Sequence, residues 1–424
     1  MDVERRAPSR FWLGFFSAVF AAGLVFHLIW TGDMEYKWDE AHIFSRSQKV
    51  GVTETWPAVG MPSGVRLNNP PLSTWIFVAA ARVFSISEPI ALARFVQWAN
   101  ILGIALIGWI ALKRARDPAE KEYWLWSAAF LSVNPIAVLL HRKIWAQSVL
   151  LPFVAIFLIG WLSREKRWGA IVWGLFGALL GQIHMSGFFF SAAVFLWTLI
   201  RADQEQTQKR TPWKAWIFGS ALGSLTLLPW LGHLFSQPRL ALGSSWQFGL
   251  EYWMHWLQDS AGVGLKYSLH SLHFKEFLAG PLILGHSSDL VGCAHGLAIA
   301  LFALILIRAP LQTLGIGFTS PNRRLSNSVL WGFGLVMALG GFSIQKHYLL
   351  IAFPVLFFWL AQVALSREES AVQVRRGRHL LAALCVTQAI ITACFLIYIH
   401  QNGGAPGGDY GVAYDAQPVK AQAP

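Results

Sequence analysis

Acid is scarce in this chain: 22 Asp and Glu stand among 424 residues, against 34 Lys and Arg. With 13% of residues charged, the composition is unlike that of a charge-rich, disordered chain. Cysteine is nearly missing. Cys293, Cys385 and Cys394 lie in apolar stretches without ligand spacing, so no disulfide framework or zinc site follows and they read as small buried hydrophobes. There is no GxGxxG or GxxxxGK[ST] segment, so nothing points to a nucleotide-binding unit. No clear internal repeat is present, which weakens a transporter reading built on inverted repeats.

What fills the chain instead is apolar. Hydrophobic residues make up 55%, with 30 Phe and 22 Trp, and runs such as "FWLGFFSAVFAAGLVFHLIW" and "AALCVTQAIITACFLIYI" are nearly free of charge. About 20 such residues cross the hydrocarbon of a bilayer as a helix. A soluble domain needs few of them, because its helices are apolar on one face only. The expected class is therefore an all-α polytopic membrane protein. The first run begins at Phe11 and is too long and aromatic for a cleaved signal, so it reads as a retained span. Spans are expected near 11–30, 90–112, 123–140, 144–162, 168–182, 184–200, 214–234, 291–307, 328–344, 347–364 and 380–399, eleven in all.

The net charge of +12 matters less than its placement. Most Lys and Arg fall in "ERRAPSR", "KRARDPAEK", "SREKR", "RADQEQTQKRTPWK", "PNRR" and "SREESAVQVRRGR", which this span count puts on one side. The positive-inside rule makes that side cytoplasmic, the N-terminus included. The short apolar stretch 72–86 then reads as an interfacial helix, since counting it as a span would reverse everything after it. On the opposite side gather the unusual polar junctions: 31–71, "LHRKIW", "QIHMSG", 235–290 and "SIQKHYLL". One integral membrane domain over 1–400 is expected, with an outer catalytic loop at 31–89, an outer loop at 235–290, and a flexible tail at 401–424.

The scarce acid is concentrated in the first of those junctions. "GDMEYKWDEAHIF" holds Asp33, Glu35, Asp39 and Glu40 within nine residues of each other. Adjacent acids on a helix point about 100° apart, so Asp39 and Glu40 divide roles rather than share a proton. A carboxylate at the membrane face suits removal of a proton from an acceptor hydroxyl or amine. A merely solvated first loop would also carry such acids.

"WDEAHIFSRSQ", "RLNNPPLSTWIF" and "QKHYLLIAFPVLFFW" together resemble the GT-C glycosyltransferases that use polyprenyl-phosphate sugars, in particular the protein mannosyltransferase and lipid A aminoarabinose transferase-like enzymes (family 39-like). The resemblance covers residues 11–200 and, less fully, 328–365; Pro354 is displaced from the family's late "YLLP" pattern. It implies a GT-C-like fold and inverting transfer of a sugar from a polyprenyl-phosphate carrier to an envelope lipid, glycan or protein. Asp39 would be the general base and Glu40 would support the loop or bind substrate. It further implies a bacterial cytoplasmic (inner) membrane, with the active site and C-terminus outside. The expected partners are membrane lipids and the lipid-linked donor, with no nucleic acid. A divalent cation is left open, because the superfamily differs in cation dependence.

Direct displacement also requires cations for the departing phosphate. Lys346 and His347 begin an apolar helix, where charge is costly without a purpose and free amides favour phosphate; Lys346 could equally snorkel to headgroups. Arg142 and Lys143 could serve the same end or simply hold a hairpin in water. His184 sits at a span junction, suited to phosphate or to a structural bond. Arg66 and Asn69 are further substrate-side candidates, against anchoring and turn-shaping roles. His42, three residues after Asp39, could contact a metal with it, although two ligands do not define a site. The competing classes are a transporter or flippase for a lipid-linked sugar and a catalytically inactive accessory subunit of the same fold.

Overall fold

The computed structural model describes residues 10–62, 67–200, 210–236, 248–283, 285–309, 323–341, 343–365 and 370–418. Among these the protein is a bundle of helices with two very short antiparallel hairpins, 282–287 and 404–412. Its early helices are α1 (Arg10–Leu28), α2 (Trp38–Lys49), α3 (Leu72–Val83), α4 (Pro89–Lys113), α5 (Pro118–Val133) and α6 (Pro135–Leu140). Then follow α7 (Leu150–Leu162), α8 (Arg167–Ile183), α9 (Ser186–Ile200), α10 (Trp213–Ser224), α11 (Leu228–Ser236), α12 (Glu251–Ala261), α13 (Lys266–Ala279) and α14 (Leu290–Arg308). Three further stretches close the bundle: a helical run at 324–339 with a π segment, a run at 346–364, and the long helix Ala371–Asn402.

Among the described residues six helices are long and apolar enough to cross a membrane by length and composition: Phe11–Leu28, Pro89–Lys113, Trp213–Ser236, Leu290–Arg308, Lys346–Ala364 and Ala371–Asn402. Each coincides with an expected span. The other expected spans are helical but shorter, and the expected count of eleven therefore does not follow from length alone. Parity supplies a second constraint. Asp33 just past α1 pairs with His400 near the end of Ala371–Asn402, so both helices finish at the same end of the bundle. Read as spans, they require an odd number of crossings, which six cannot supply.

Local chemistry sets the ends that matter. Asp117 and Asn134 accept hydrogen bonds from the first free amides of α5 and α6, each with Pro at the first helical position. Pro135 thereby breaks the expected 123–140 span into two helices and aims the chain into the turn 141–146. Helix α3, at 12 residues, is about 18 Å long and too short for about 30 Å of hydrocarbon. It packs chiefly against α2 and buries Ser73, Thr74, Phe77, Val78, Ala80 and Ala81.

Candidate active site

Helix α2 places the two acids of "WDE" by capping. Glu40 accepts the Lys37 backbone N–H at 2.8 Å, the return half of a capping box. Both acids sit in the first turn, where the helix dipole favours them. Glu40 is fully buried and Asp39 only partly so, which separates them as their 100° offset requires.

Glu40 belongs to a closed charge cluster. Lys143, 3% exposed, donates to Glu35 Oε1 at 2.7 Å and stands 3.1 Å from Glu40 Oε1. Lys37 approaches the same Glu35 oxygen at 2.6 Å. Lys143, Glu35 and Glu40 thus meet away from water, while Lys37 reaches Glu35 from the exposed side and also pairs with Asp409. Burial pushes Glu35 up to about 7, opposed by Lys143. Burial works against the Lys143 charge too, but Glu40 and Glu35 together raise it well above its ordinary range.

Asp39 stands apart from this cluster. Its Oδ2 accepts from Trp145 Nε1 at 2.9 Å. The Trp145 ring carries the Lys143 ammonium 3.7 Å from its centroid and lies 4.7 Å from the His347 ring. His347 Nδ1 meets the Tyr267 hydroxyl at 3.2 Å, and its ring is 6.0 Å from His184. Asp39, Trp145, His347, His184 and Tyr267 therefore form one line of side chains drawn from α2, the 141–146 turn, the start of the 346–364 run, the α8–α9 junction and α13. The polar junctions that the sequence places on one side do meet at one end of the bundle.

The cations expected to receive phosphate lie differently. Arg142 donates to the carbonyls of Phe26 at 2.7 Å and Trp30 at 2.8 Å, capping the end of α1. Lys346 is buried and pairs with Asp259 at 2.8 Å, with Gln258 Oε1 at 3.2 Å. Gly264 makes room for that pair: a Cβ there would lie 2.5 Å from Lys346 Cε and 2.7 Å from Asp259 Oδ1. Burial pushes the Asp259 carboxyl up against the pull of Lys346. His184 Nδ1 bonds Ser186 at 2.7 Å. Asn69 donates to Met61 O at 3.0 Å and shapes the turn before α3. His42 stacks on Trp38, ring centroids 5.0 Å apart. Among the described residues no group of three or more His, Cys, Asp or Glu is placed to hold a metal. Arg66 lies outside the described residues.

Four participants were not singled out from sequence: Glu35 as an internal ion-pair partner, Trp145, Asp259 and Tyr267. "LQDS" gave the only hint of Asp259, an acid inside an otherwise aromatic stretch. Residues 403–418, expected as part of a flexible tail, fold back instead as a hairpin and a 3-10 turn against the acidic loop. A backbone bridge joins Glu35 to Ala413, and Tyr414 N–H donates to Met34 O at 3.1 Å.

No family model matches the chain. No curated protein matches it either. Solved structures do resemble it. ArnT from Cupriavidus metallidurans bound to undecaprenyl phosphate superposes with a TM-score of 0.51 at 12% identity, over 93% of this chain and 78% of that one. Its apo form gives 0.50 at 12% identity, over 91% and 76%. The Archaeoglobus fulgidus oligosaccharyltransferase in its apo form gives 0.52 at 12% identity, over 97% of this chain and 57% of that one. At this identity the likeness shows the fold alone: over nearly its whole length this chain has the architecture of these solved structures.

Proposed function

We propose that this protein transfers a sugar from a polyprenyl-phosphate carrier to an acceptor at the extracytoplasmic membrane face, with Asp39 as general base. The observation that carries this reading is the contrast around Asp39. Unlike Glu35 and Glu40, which share Lys143, and Asp33, which meets His400, it is held only by the indole N–H of Trp145, and its second oxygen has no hydrogen-bond partner among the described residues. A carboxylate oriented on one oxygen and open on the other can take a proton from an entering hydroxyl or amine. The acceptor atom then bonds to the anomeric carbon as the bond to phosphate breaks. The electron pair leaves on the carrier phosphate, and the anomeric configuration inverts.

The fold adds a place for such a donor, since one solved relative of this architecture holds undecaprenyl phosphate. In this chain the positive charge near Asp39 is Lys143, shared with two carboxylates, while Lys346 is matched by Asp259. Stabilisation of the leaving phosphate is therefore assigned to Lys143 together with the neutral donors His347 and Tyr267, rather than to a free cation. Arg142 and Asn69 hold the loop that presents Asp39, and Glu40 caps its helix. The side of the membrane rests on charge: the site end carries fewer Lys and Arg than the opposite end, which collects Arg114, Arg116, Lys166, Arg167 and Arg376 among others.

Purified protein in lipid, offered a panel of polyprenyl-phosphate sugars with candidate envelope acceptors, tests the reading. Transfer predicts free polyprenyl phosphate and a new glycosidic product in equal amounts by mass spectrometry. Intact lipid-linked sugar moved across vesicles without cleavage would replace it with the transporter reading.

A further inference from the structure

The 403–418 segment has no part in the chemistry above, yet it touches both halves of the site. On one side it is bonded to the acidic loop. Tyr410 OH donates to Asp33 O, Gln417 Nε2 to Tyr36 O at 2.6 Å, and Lys37 Nζ to Asp409 O. The Tyr414 ring packs edge-on against Tyr36, centroids 4.9 Å apart. On the other side it is bonded to α13. Tyr410 N–H donates to Ser268 O at 2.9 Å, and His273 Nε2 meets Pro406 O at 2.6 Å. Helix α13 carries Tyr267, the partner of His347. Tyr410 itself is 4% exposed and lies against Phe395 of the last helix, with ring centroids 6.1 Å apart. One buried residue therefore ties these parts together, its hydroxyl on the Asp39 loop, its backbone N–H on α13 and its ring on the last helix.

We propose that the 403–418 hairpin is a positioning element of this site, with Tyr410 as its anchoring residue, setting the separation between the Asp39 loop and the Tyr267–His347 side. The inference rests on the proposed transfer for its kinetic consequence but not for its geometric one. Side chains anchor the loop 31–37 to the bundle, Thr31 on Gln97, Asp33 on His400 and Glu35 on Lys143, while its backbone is bonded chiefly to itself and to this hairpin. The Trp145 indole already links Asp39 to the His347 side; the hairpin adds a second link, through the loop's backbone, between two stretches far apart in sequence, and small misplacements of reacting groups are costly. The hairpin also depends on a residue remote from the chemistry. Gly404 has φ +111°, and a Cβ there would lie 2.4 Å from Gly411 O, so an alanine cannot be accommodated in this turn.

Tyr410→Phe removes the bond to Asp33, Gly404→Ala breaks the hairpin, and Val412→Thr changes a half-exposed side chain as control. Hydrogen exchange of the lipid-embedded protein and donor kinetics are read on all three. The expected result is exchange over 33–40 at least about tenfold faster in the first two variants, with 150–162 unchanged and Val412→Thr like wild type. Turnover falls roughly ten- to a hundredfold in kcat, with KM for the carrier unchanged. Wild-type exchange rates over 33–40 in Tyr410→Phe and Gly404→Ala would overturn the proposal. So would loosening that leaves kcat intact, or loosening that spreads to 150–162. If wild type shows no transfer while 33–40 still loosens selectively, the transferase reading fails and the hairpin's hold on the loop stands.

Discussion

Asp39 and Asp259 are both aspartates at the same end of the bundle, and they are built for opposite purposes. Asp259 is completely buried, carries Lys346 on Oδ1 at 2.8 Å, and lies beside a network in which Asn134 donates to its backbone carbonyl and Gln388 to that of Ser260. Asp39 is half-buried, touches no cation, and is held by one indole N–H. A buried carboxylate with its own ammonium is a structural pair: removing one member strands the other, and its charge is spoken for. A carboxylate held by a neutral donor keeps its charge available for a proton. The difference separates the half of the site that reacts from the half that fixes its shape.

The contrast is broken most sharply by Asp39→Asn. It should lower transfer roughly 10²–10⁴-fold, the usual contribution of a general base, with the thermal unfolding midpoint in lipid unchanged. Asp259→Asn should do the reverse. Stranding the buried Lys346 costs about 3–5 kcal/mol, read as a lower unfolding midpoint, and Lys346→Met in the same protein should recover much of it.

A finer cut is Trp145→Phe, which keeps the ring under Lys143 but removes the hydrogen bond to Asp39. One such bond is worth about 1–2 kcal/mol, so kcat should fall roughly tenfold with KM little changed. The smallest effect is one of pH. Glu35 is raised by burial to about 7, so its proton stabilises the fold below the ordinary carboxylate range, and that contribution is lost as pH rises through about 7. The unfolding midpoint should be higher at pH 6 than at pH 8, and Glu35→Gln should flatten that difference.

Much of this was legible in the sequence because it was local. Long apolar runs announced helices, "NNPP" announced the turn before α3, and four acids in a poor background marked the loop. Charge bias placed the polar junctions at one end, and they do meet there. What was hidden depends on distance along the chain. Lys346 looks like an unpaired cation until the fold brings Asp259 to it, and Arg142 until the end of α1 arrives. Lys143 is a surface hairpin residue by pattern but a buried one by packing, since Glu35 and Glu40 come from a loop more than a hundred residues earlier. The segment after Asn402 has the composition of a tail. Its order comes from a backbone bridge and side-chain bonds to residues 33–37, which no window of the sequence contains.

The most direct measurement is release of polyprenyl phosphate from its sugar by lipid-embedded wild type, Asp39→Asn and the Asp259→Asn/Lys346→Met double variant. The account predicts release by wild type, loss in Asp39→Asn with an unchanged unfolding midpoint, and substantial retention in the double variant. Equal release by wild type and Asp39→Asn would contradict it.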